Sequence, residues 1–177
     1  MVTKLRILSA SAAICMSALI ALVTGAGPKT AVAATQVPFT AEYSGAMYLT
    51  NGGFPVSVKG SGKASHLGAS ANQGTVTLLD EQNSNCPATG FVVLNHQTLT
   101  SIQDNDDTID ITISDHPCPV TNEPGFYSGS DRYVVTGGTG RFTHASGQGT
   151  FVGSGDFNND TFVYTFNGTI SPPDDNY

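Results

Sequence analysis

The segment from residue 134 to residue 170 constrains the fold most, because it sets short alternating strands around a dense cluster of glycines. One predicted strand ends in the corner 137–140, Gly-Gly-Thr-Gly, which is followed by Arg141, Phe142 and two further strands. Glycine adopts backbone conformations that other residues avoid, so the cluster permits a tight corner. A phosphate-binding loop would instead open a long helix. We expect Phe142 to plug one end of the folded domain.

The rest of the chain shows the same pattern of short runs in which apolar and polar residues alternate, punctuated by Gly, Asn and Asp. This periodicity of two predicts β-strands, and no stretch has the spacing of a long amphipathic helix. The predicted strands are 39–49, 55–65, 73–80, 90–94, 97–103, 108–114, 125–135, 147–157 and 161–170. If 90–94 and 97–103 form one strand bent near Asn95, the number is eight.

Glycines inside the predicted strands favour a closed sheet. Glycine weakens a strand unless the sheet bends sharply or packs closely there. A small barrel needs such curvature, and closure removes exposed sheet edges. We therefore predict an all-β fold, a single antiparallel eight-stranded closed β-barrel, with a β-sandwich as the alternative. The glycines concerned are Gly45, Gly60, Gly62, Gly129, Gly153, Gly155 and Gly168.

The N-terminus has the features of a signal peptide. Lys4 and Arg6 precede an apolar run, and Ala31-Val32-Ala33 fits a cleavage site. We predict a signal peptide at 1–33, a β-barrel domain at 34–177 and a secreted, extracellular protein without stable membrane anchoring after cleavage. An uncleaved membrane anchor is the alternative.

Charge excludes some partners. After removal of residues 1–33, four basic residues face fourteen acidic ones, a net charge of about −10. Nucleic acid is not an expected partner, because no basic stripe could neutralise phosphates. Cys86 and Cys118 remain in this part of the chain, and an even count in an exported protein predicts a disulfide.

Aromatic residues recur on single strand faces. If these faces point inward, they line the barrel and bind a hydrophobic small molecule, whereas the alternative is that they only fill the core. The predicted ligand-binding residues are Tyr43, Tyr127, Tyr133, Phe151, Phe162, Tyr164 and Phe166. Asp131 shares a face with Tyr127 and Tyr133, so burial could raise its pKa and suit it to catalysis. The alternative is that Asp131 and Arg132 are solvated neighbours near the edge of the strand.

No cofactor and no metal site are predicted. The four histidines lack the spacing that brings two onto one face. The acidic run at 104–110 lacks the glycine and the distal glutamate of an EF-hand loop, and a weak Ca²⁺ site there is the alternative to a polar hairpin tip.

Three segments resemble the allene-oxide-cyclase-like and dirigent-like β-barrel superfamily, in its bacterial secreted members. They are the glycine corner with the A-x-G at 145–147, the segment 62–68 (GKASHLG), and the ending 167–171 (NGTIS). The resemblance covers most of residues 37–171 and implies a barrel that binds hydrophobic or phenolic molecules. None of the family's pocket residues carries over to a position here.

Three functions are compatible with these observations. The first is a secreted barrel that binds a hydrophobic or aromatic small molecule in its lumen. The second is a cofactor-independent cyclase or isomerase of the allene-oxide-cyclase or dirigent type. The third is a cell-surface structural or interaction protein. Oligomerisation, as in the plant relatives, is an open possibility.

Overall fold

The computed structural model describes residues 35–86 and 90–174, except the side chains of residues 80 and 81. The predicted signal peptide lies outside the described residues. Within these described residues, nine strands and one short 3₁₀ helix follow one another. The strands are β1 (Val37–Thr50), β2 (Gly53–Ala64), β3 (Gly68–Asn83), β4 (Gly90–Ser101), β5 (Thr108–Asp115), β6 (Cys118–Pro119), β7 (Phe126–Thr139), β8 (Gly147–Asp156) and β9 (Thr161–Ile170), and the 3₁₀ helix is Gly140–Phe142.

Eight of these strands form a closed antiparallel barrel, as predicted. The sheet runs in the order β5-β4-β3-β2-β1-β9-β8-β7, and β5 pairs with β7 to close it. The two-residue β6 pairs with Ser128 and Tyr127 of β7, beyond the residues of β7 that pair with β5. β4 is continuous through Asn95, so the two runs predicted there are one strand. The β-sandwich alternative is wrong.

Side-chain alternation follows the predicted pattern. In β1, Phe39, Ala41, Tyr43 and Met47 are buried, while Thr40 and Glu42 between them are exposed. In β9, Phe162, Tyr164 and Phe166 are buried in the same way. Because successive side chains of a strand point to opposite faces, each strand delivers every second residue to the interior.

The interior has an aromatic side and a polar side. The aromatic rings come from β1, β7, β8 and β9, where Tyr133 lies 6.1 Å from Phe39 and 5.5 Å from Phe166 between ring centres. The opposite wall, β3 and β4, buries the polar side chains Ser70, Asn72, Asn95, Gln97 and Ser101. The phenol of Tyr43 bridges the two sides through a 2.6 Å hydrogen bond with the hydroxyl of Ser70. Burial raises the pKa of Tyr43 to about 12.

One end of the barrel, which we call the closed end, is sealed by the glycine corner. Phe142 is buried there, as predicted. Its neighbour Arg141 pairs with the buried Asp107, whose carboxylate accepts from the Arg141 backbone N–H at 2.9 Å and from Nε at 2.7 Å. Gly140 has φ +56°, and a Cβ at this position would lie 2.8 Å from the backbone oxygen of Asp106. The corner therefore needs glycine for its conformation and for the space beside the Asp107–Arg141 pair.

Glycines between β1 and β2 allow the backbones to approach closely. A Cβ on Gly62 would collide with the backbone oxygen of Glu42 and lie 2.8 Å from the ring of Tyr43. Gly45 meets the backbone of β2 in the same manner. Strands that approach this closely exclude side chains at these positions, which explains Gly45 and Gly62.

The outer surface of the barrel carries few apolar side chains. The large apolar side chains that are exposed are Tyr48, Leu78, Ile102, Val134, Val152 and Val163. Among the described residues, the structure contains no helix of the length and hydropathy that a membrane crossing requires.

Candidate functional site

A cavity lies inside the other end of the barrel, which we call the open end. Its volume is about 50 Å³. This is more than the roughly 10–15 Å³ that one water molecule needs, so the cavity has room for a small ligand head. Beyond it, toward the closed end, aromatic and aliphatic side chains fill the interior. The lining residues are Met47, Phe54, Val56, Val76, Phe91, Val93, Asn95, Asp115, Pro117, Tyr127, Gly153, Ser154, Gly155, Phe157 and Tyr164.

Four aromatic rings surround the way into this cavity, and we call them the aromatic mouth: Phe54, Phe91, Tyr127 and Phe157. Each belongs to the first two residues of a strand or directly follows one, so the barrel ends bring them together. The ring centres of successive members lie 5.5, 4.9 and 5.6 Å apart. All four rings are half-buried, so the aromatic mouth offers apolar surface to solvent.

The floor of the cavity is polar. Asn95 of β4, Asp115 at the end of β5 and Tyr164 of β9 reach it from three strands. Burial raises the pKa of the Tyr164 phenol, and a hydrogen bond with Asn95 opposes the rise. An apolar cavity with a few convergent polar groups is the usual composition of a small-molecule site.

Asp115 is one of two neighbouring carboxyl groups at the gap between β5 and β7. The backbone N–H of His116 lies 3.0 Å from an oxygen of Asp115 and 2.9 Å from an oxygen of Asp131. Nδ1 of His116 lies 3.1 Å from the same Asp131 oxygen. Burial raises the pKa of Asp115 to about 6, the charge of Asp131 adds to the rise, and the N–H of His116 opposes it.

The disulfide between Cys86 and Cys118 is formed, as predicted, and it borders the open end. Cys118 and Pro119 pair with Ser128 and Tyr127 of β7. The bond therefore ties the segment before β4, which carries Phe91, to the segment beside Tyr127. A disulfide is typical of proteins in oxidising compartments outside the cytosol.

Two of the seven predicted ligand-binding residues, Tyr127 and Tyr164, line the cavity. The other five, Tyr43, Tyr133, Phe151, Phe162 and Phe166, are buried in the filled part of the interior. At those positions the structure places core packing, which was the alternative interpretation.

Asp131 is not among the residues that line the cavity. Its side chain is a quarter exposed and faces a depression on the outer wall, beside His116 and Arg132. The carboxyl group that reaches the cavity is that of Asp115.

Sequence reasoning missed Phe54, Phe91, Asn95 and Asp115. The signal for Asp115 was present, because Ile109, Ile111 and Ile113 alternate toward the interior and Asp115 continues their series. Strand ends and turns gave no such signal for Phe54 and Phe91, which only the closure of the barrel brings together.

The acidic run at 104–110 is engaged in protein contacts. Asp107 pairs with Arg141, Asp110 accepts a 2.7 Å hydrogen bond from Thr98, and Asp104 accepts one from the backbone N–H of Asp106. Among the residues that the structure describes, no three His, Cys, Asp or Glu side chains are grouped as metal ligands would be.

No protein-family model, no curated protein and no solved structure matches this chain. The resemblance to the allene-oxide-cyclase-like and dirigent-like superfamily stays a prediction from sequence motifs.

Proposed function

We propose that this protein is secreted and binds an apolar or aromatic small molecule at the open end of its barrel. The head of the ligand enters the cavity, and its body rests on the aromatic mouth. The observation that carries the proposal is the continuous apolar surface that leads from four half-buried rings into an internal cavity. Half-exposed aromatic clusters that open into a cavity are typical of binding sites.

The size of the cavity restricts this proposal to part of the lumen. A drug-sized ligand occupies a pocket of about 300–1,000 Å³, and the cavity measures about 50 Å³. The ligand is therefore held mainly by the aromatic mouth, with only its end inside the barrel. Burial of one aromatic ring against such a surface contributes about 1.5–3 kcal/mol.

The test is a titration of the disulfide-intact protein with 2-phenylethanol, followed by ligand-observed NMR. Tyr127→Ala removes the central ring of the aromatic mouth and should weaken binding by about tenfold. Tyr48→Ala is the matched control, because Tyr48 is exposed on the outer face of β1. Equal affinities of the two variants would contradict the proposal.

A cavity-filling variant tests the same site independently. A Cβ on Gly155 would make ordinary contacts, 3.4 Å from Sδ of Met47 and 3.7 Å from the ring of Phe157. Gly155→Val should therefore fold and occupy the cavity, so that the affinity for 2-phenylethanol falls while the melting temperature is kept. Undiminished binding by this variant would place the ligand elsewhere.

A second candidate function is a cyclase or isomerase, favoured by the pair Asp115 and Asp131. Two neighbouring carboxyl groups keep one proton available near neutral pH, which suits general acid catalysis. We place this candidate second because the cavity is too small to enclose a whole substrate of drug size. Incubation with polyunsaturated fatty-acid epoxides, followed by chiral chromatography of the products, tests it. Products formed equally fast by the wild type and by Asp115→Asn would rule out this role for Asp115.

A further inference from the structure

No positively charged side chain lines the cavity. Asp115 is the one acidic residue in the lining, and the lining contains no Lys, Arg or His. The phenols of Tyr127 and Tyr164 are the other titratable groups there. An anionic ligand head would therefore meet no countercharge inside the barrel.

Asp115 also lacks a cationic partner in the protein. The ion pairs among the described residues are His116 with Asp131 and Arg141 with Asp107. Asp115 accepts the backbone N–H of His116, a donor that Asp131 shares, and a side-chain hydrogen bond links Asp115 with Asp131. Ionised Asp115 thus lies almost buried beside a second carboxylate, with one imidazole near the two of them. A buried charge without a partner is costly, and a bound cation removes that cost.

The aromatic mouth adds a second attraction for positive charge. The faces of aromatic rings carry negative electrostatic potential and attract a cation within about 6 Å of the ring centre. Phe91 and Tyr127, with centres 4.9 Å apart, flank the way to Asp115. A cation that moves toward the cavity floor therefore passes these two aromatic rings before it reaches a carboxylate.

We infer that the cavity takes the ammonium head of a cationic ligand, an alkylamine carried on an apolar or aromatic body. This inference rests on the proposed function and names the class of ligand. The volume of about 50 Å³ suits a head such as an aminoethyl group, which has three non-hydrogen atoms. The ammonium group donates to the carboxylate of Asp115, and the body of the ligand stacks on the aromatic mouth.

Binding of the amine is linked to the protonation of Asp115. The titratable groups that face Asp115 are Asp131 and Tyr127 from β7, Tyr164 from β9 and the adjacent His116. Only the ionised carboxyl group attracts the cation, and its pKa is about 6. The affinity for an amine should therefore be at least about tenfold weaker at pH 4.5 than at pH 7.5. The affinity for a neutral ligand should not follow this dependence.

The experiment compares three probes that share a phenyl ring: 2-phenylethylamine, 2-phenylethanol and 3-phenylpropionate. Calorimetric titration of the disulfide-intact protein at pH 7.5 should show the amine binding about tenfold or more tightly than the alcohol, and the carboxylate binding most weakly. Asp115→Asn should bring the amine and the alcohol within about twofold of each other. Asp110→Asn removes one charge from the outer face of the same strand and should keep the preference.

The outcomes separate the two proposals. If the alcohol binds and the amine has no advantage, or if the advantage survives Asp115→Asn, the cation inference is wrong and the proposed function stands. If none of the three probes binds at millimolar concentration, both are wrong.

Discussion

Replacement of Asp115 by Asn should stabilise the protein, and increasingly so as the pH rises. The pKa of Asp115 is raised from 3.8 to about 6 by burial and by the charge of Asp131. One pKa unit corresponds to about 1.4 kcal/mol, so ionisation of Asp115 costs the folded state about 3 kcal/mol. Because the folded state has the higher pKa, the contribution of Asp115 to stability is complete below pH 3.8 and is lost as the pH rises through about 6. An Asn side chain has the same shape as Asp and can accept the hydrogen bond from the N–H of His116, but it cannot ionise.

Urea denaturation at pH 4, 5, 6, 7 and 8, with the disulfide intact, measures this effect. The free energy of unfolding of Asp115→Asn minus that of the wild type should increase by about 2–3 kcal/mol between pH 4 and pH 8. For the control Asp110→Asn the same difference should change by less than about 1 kcal/mol. A difference for Asp115→Asn that is constant across the range would show that Asp115 is not held in an environment that disfavours its charge. A difference that decreases would show that its ionised form is stabilised.

Three further predictions concern the two ends of the barrel. Replacement of both Cys86 and Cys118 by Ser should lower the free energy of unfolding by about 3–4 kcal/mol, because the bond spans 32 residues and restricts the unfolded chain; urea midpoints unchanged from the wild type would contradict this. Asp107→Ala should lower the free energy of unfolding by about 3 kcal/mol, since it leaves the partly buried guanidinium of Arg141 without its carboxylate. Asp106→Ala, at an exposed neighbour, should lower it by less than about 0.5 kcal/mol. Similar melting temperatures of the two variants would refute a role for the ion pair. Gly140→Ala should lower the free energy of unfolding by about 2 kcal/mol or more, because φ is +56° and the added methyl group would collide with Asp107 and Asp106. A melting temperature equal to that of the wild type would mean that the glycine corner accommodates the methyl group without strain.

The barrel could be predicted because its determinants are local. The alternation of Phe162, Tyr164 and Phe166 specifies which face of β9 is buried before any partner strand is known. Glycines such as Gly62 mark positions where a neighbouring backbone leaves no space for a side chain. The predicted strand 73–80 was too short, since β3 runs from Gly68 to Asn83. The ends of β3 contain Ala, Asn and Gln, which have weak strand propensity. They pair because the neighbouring strands β2 and β4 are long enough to reach them.

The burial of polar residues in β3 and β4 could not be predicted from local sequence patterns. Asn72, Asn95 and Gln97 alternate with more exposed residues as core residues do, yet their polarity suggests solvent exposure. They are buried because closure puts every inward position of β3 and β4 inside, whatever its polarity. Atoms of Asn72 and Gln97 lack hydrogen-bond partners within the described part of the protein.

The sequence by itself determined the strands, the closure of the sheet and the pairing of the two cysteines, because period-two alternation, glycine position and cysteine count are properties of the chain. Only the tertiary structure decided which aromatic rings fill the core and which remain open. Phe151 and Tyr164 alternate identically with their neighbours, but one lies in the filled interior and the other at the cavity floor. Height along the barrel axis makes that difference, and it follows from the stagger of eight strands. The same stagger sets Asp115 of β5 beside Asp131 of β7. It thereby places a carboxyl group at the open end of the barrel, in the cavity beside the aromatic mouth.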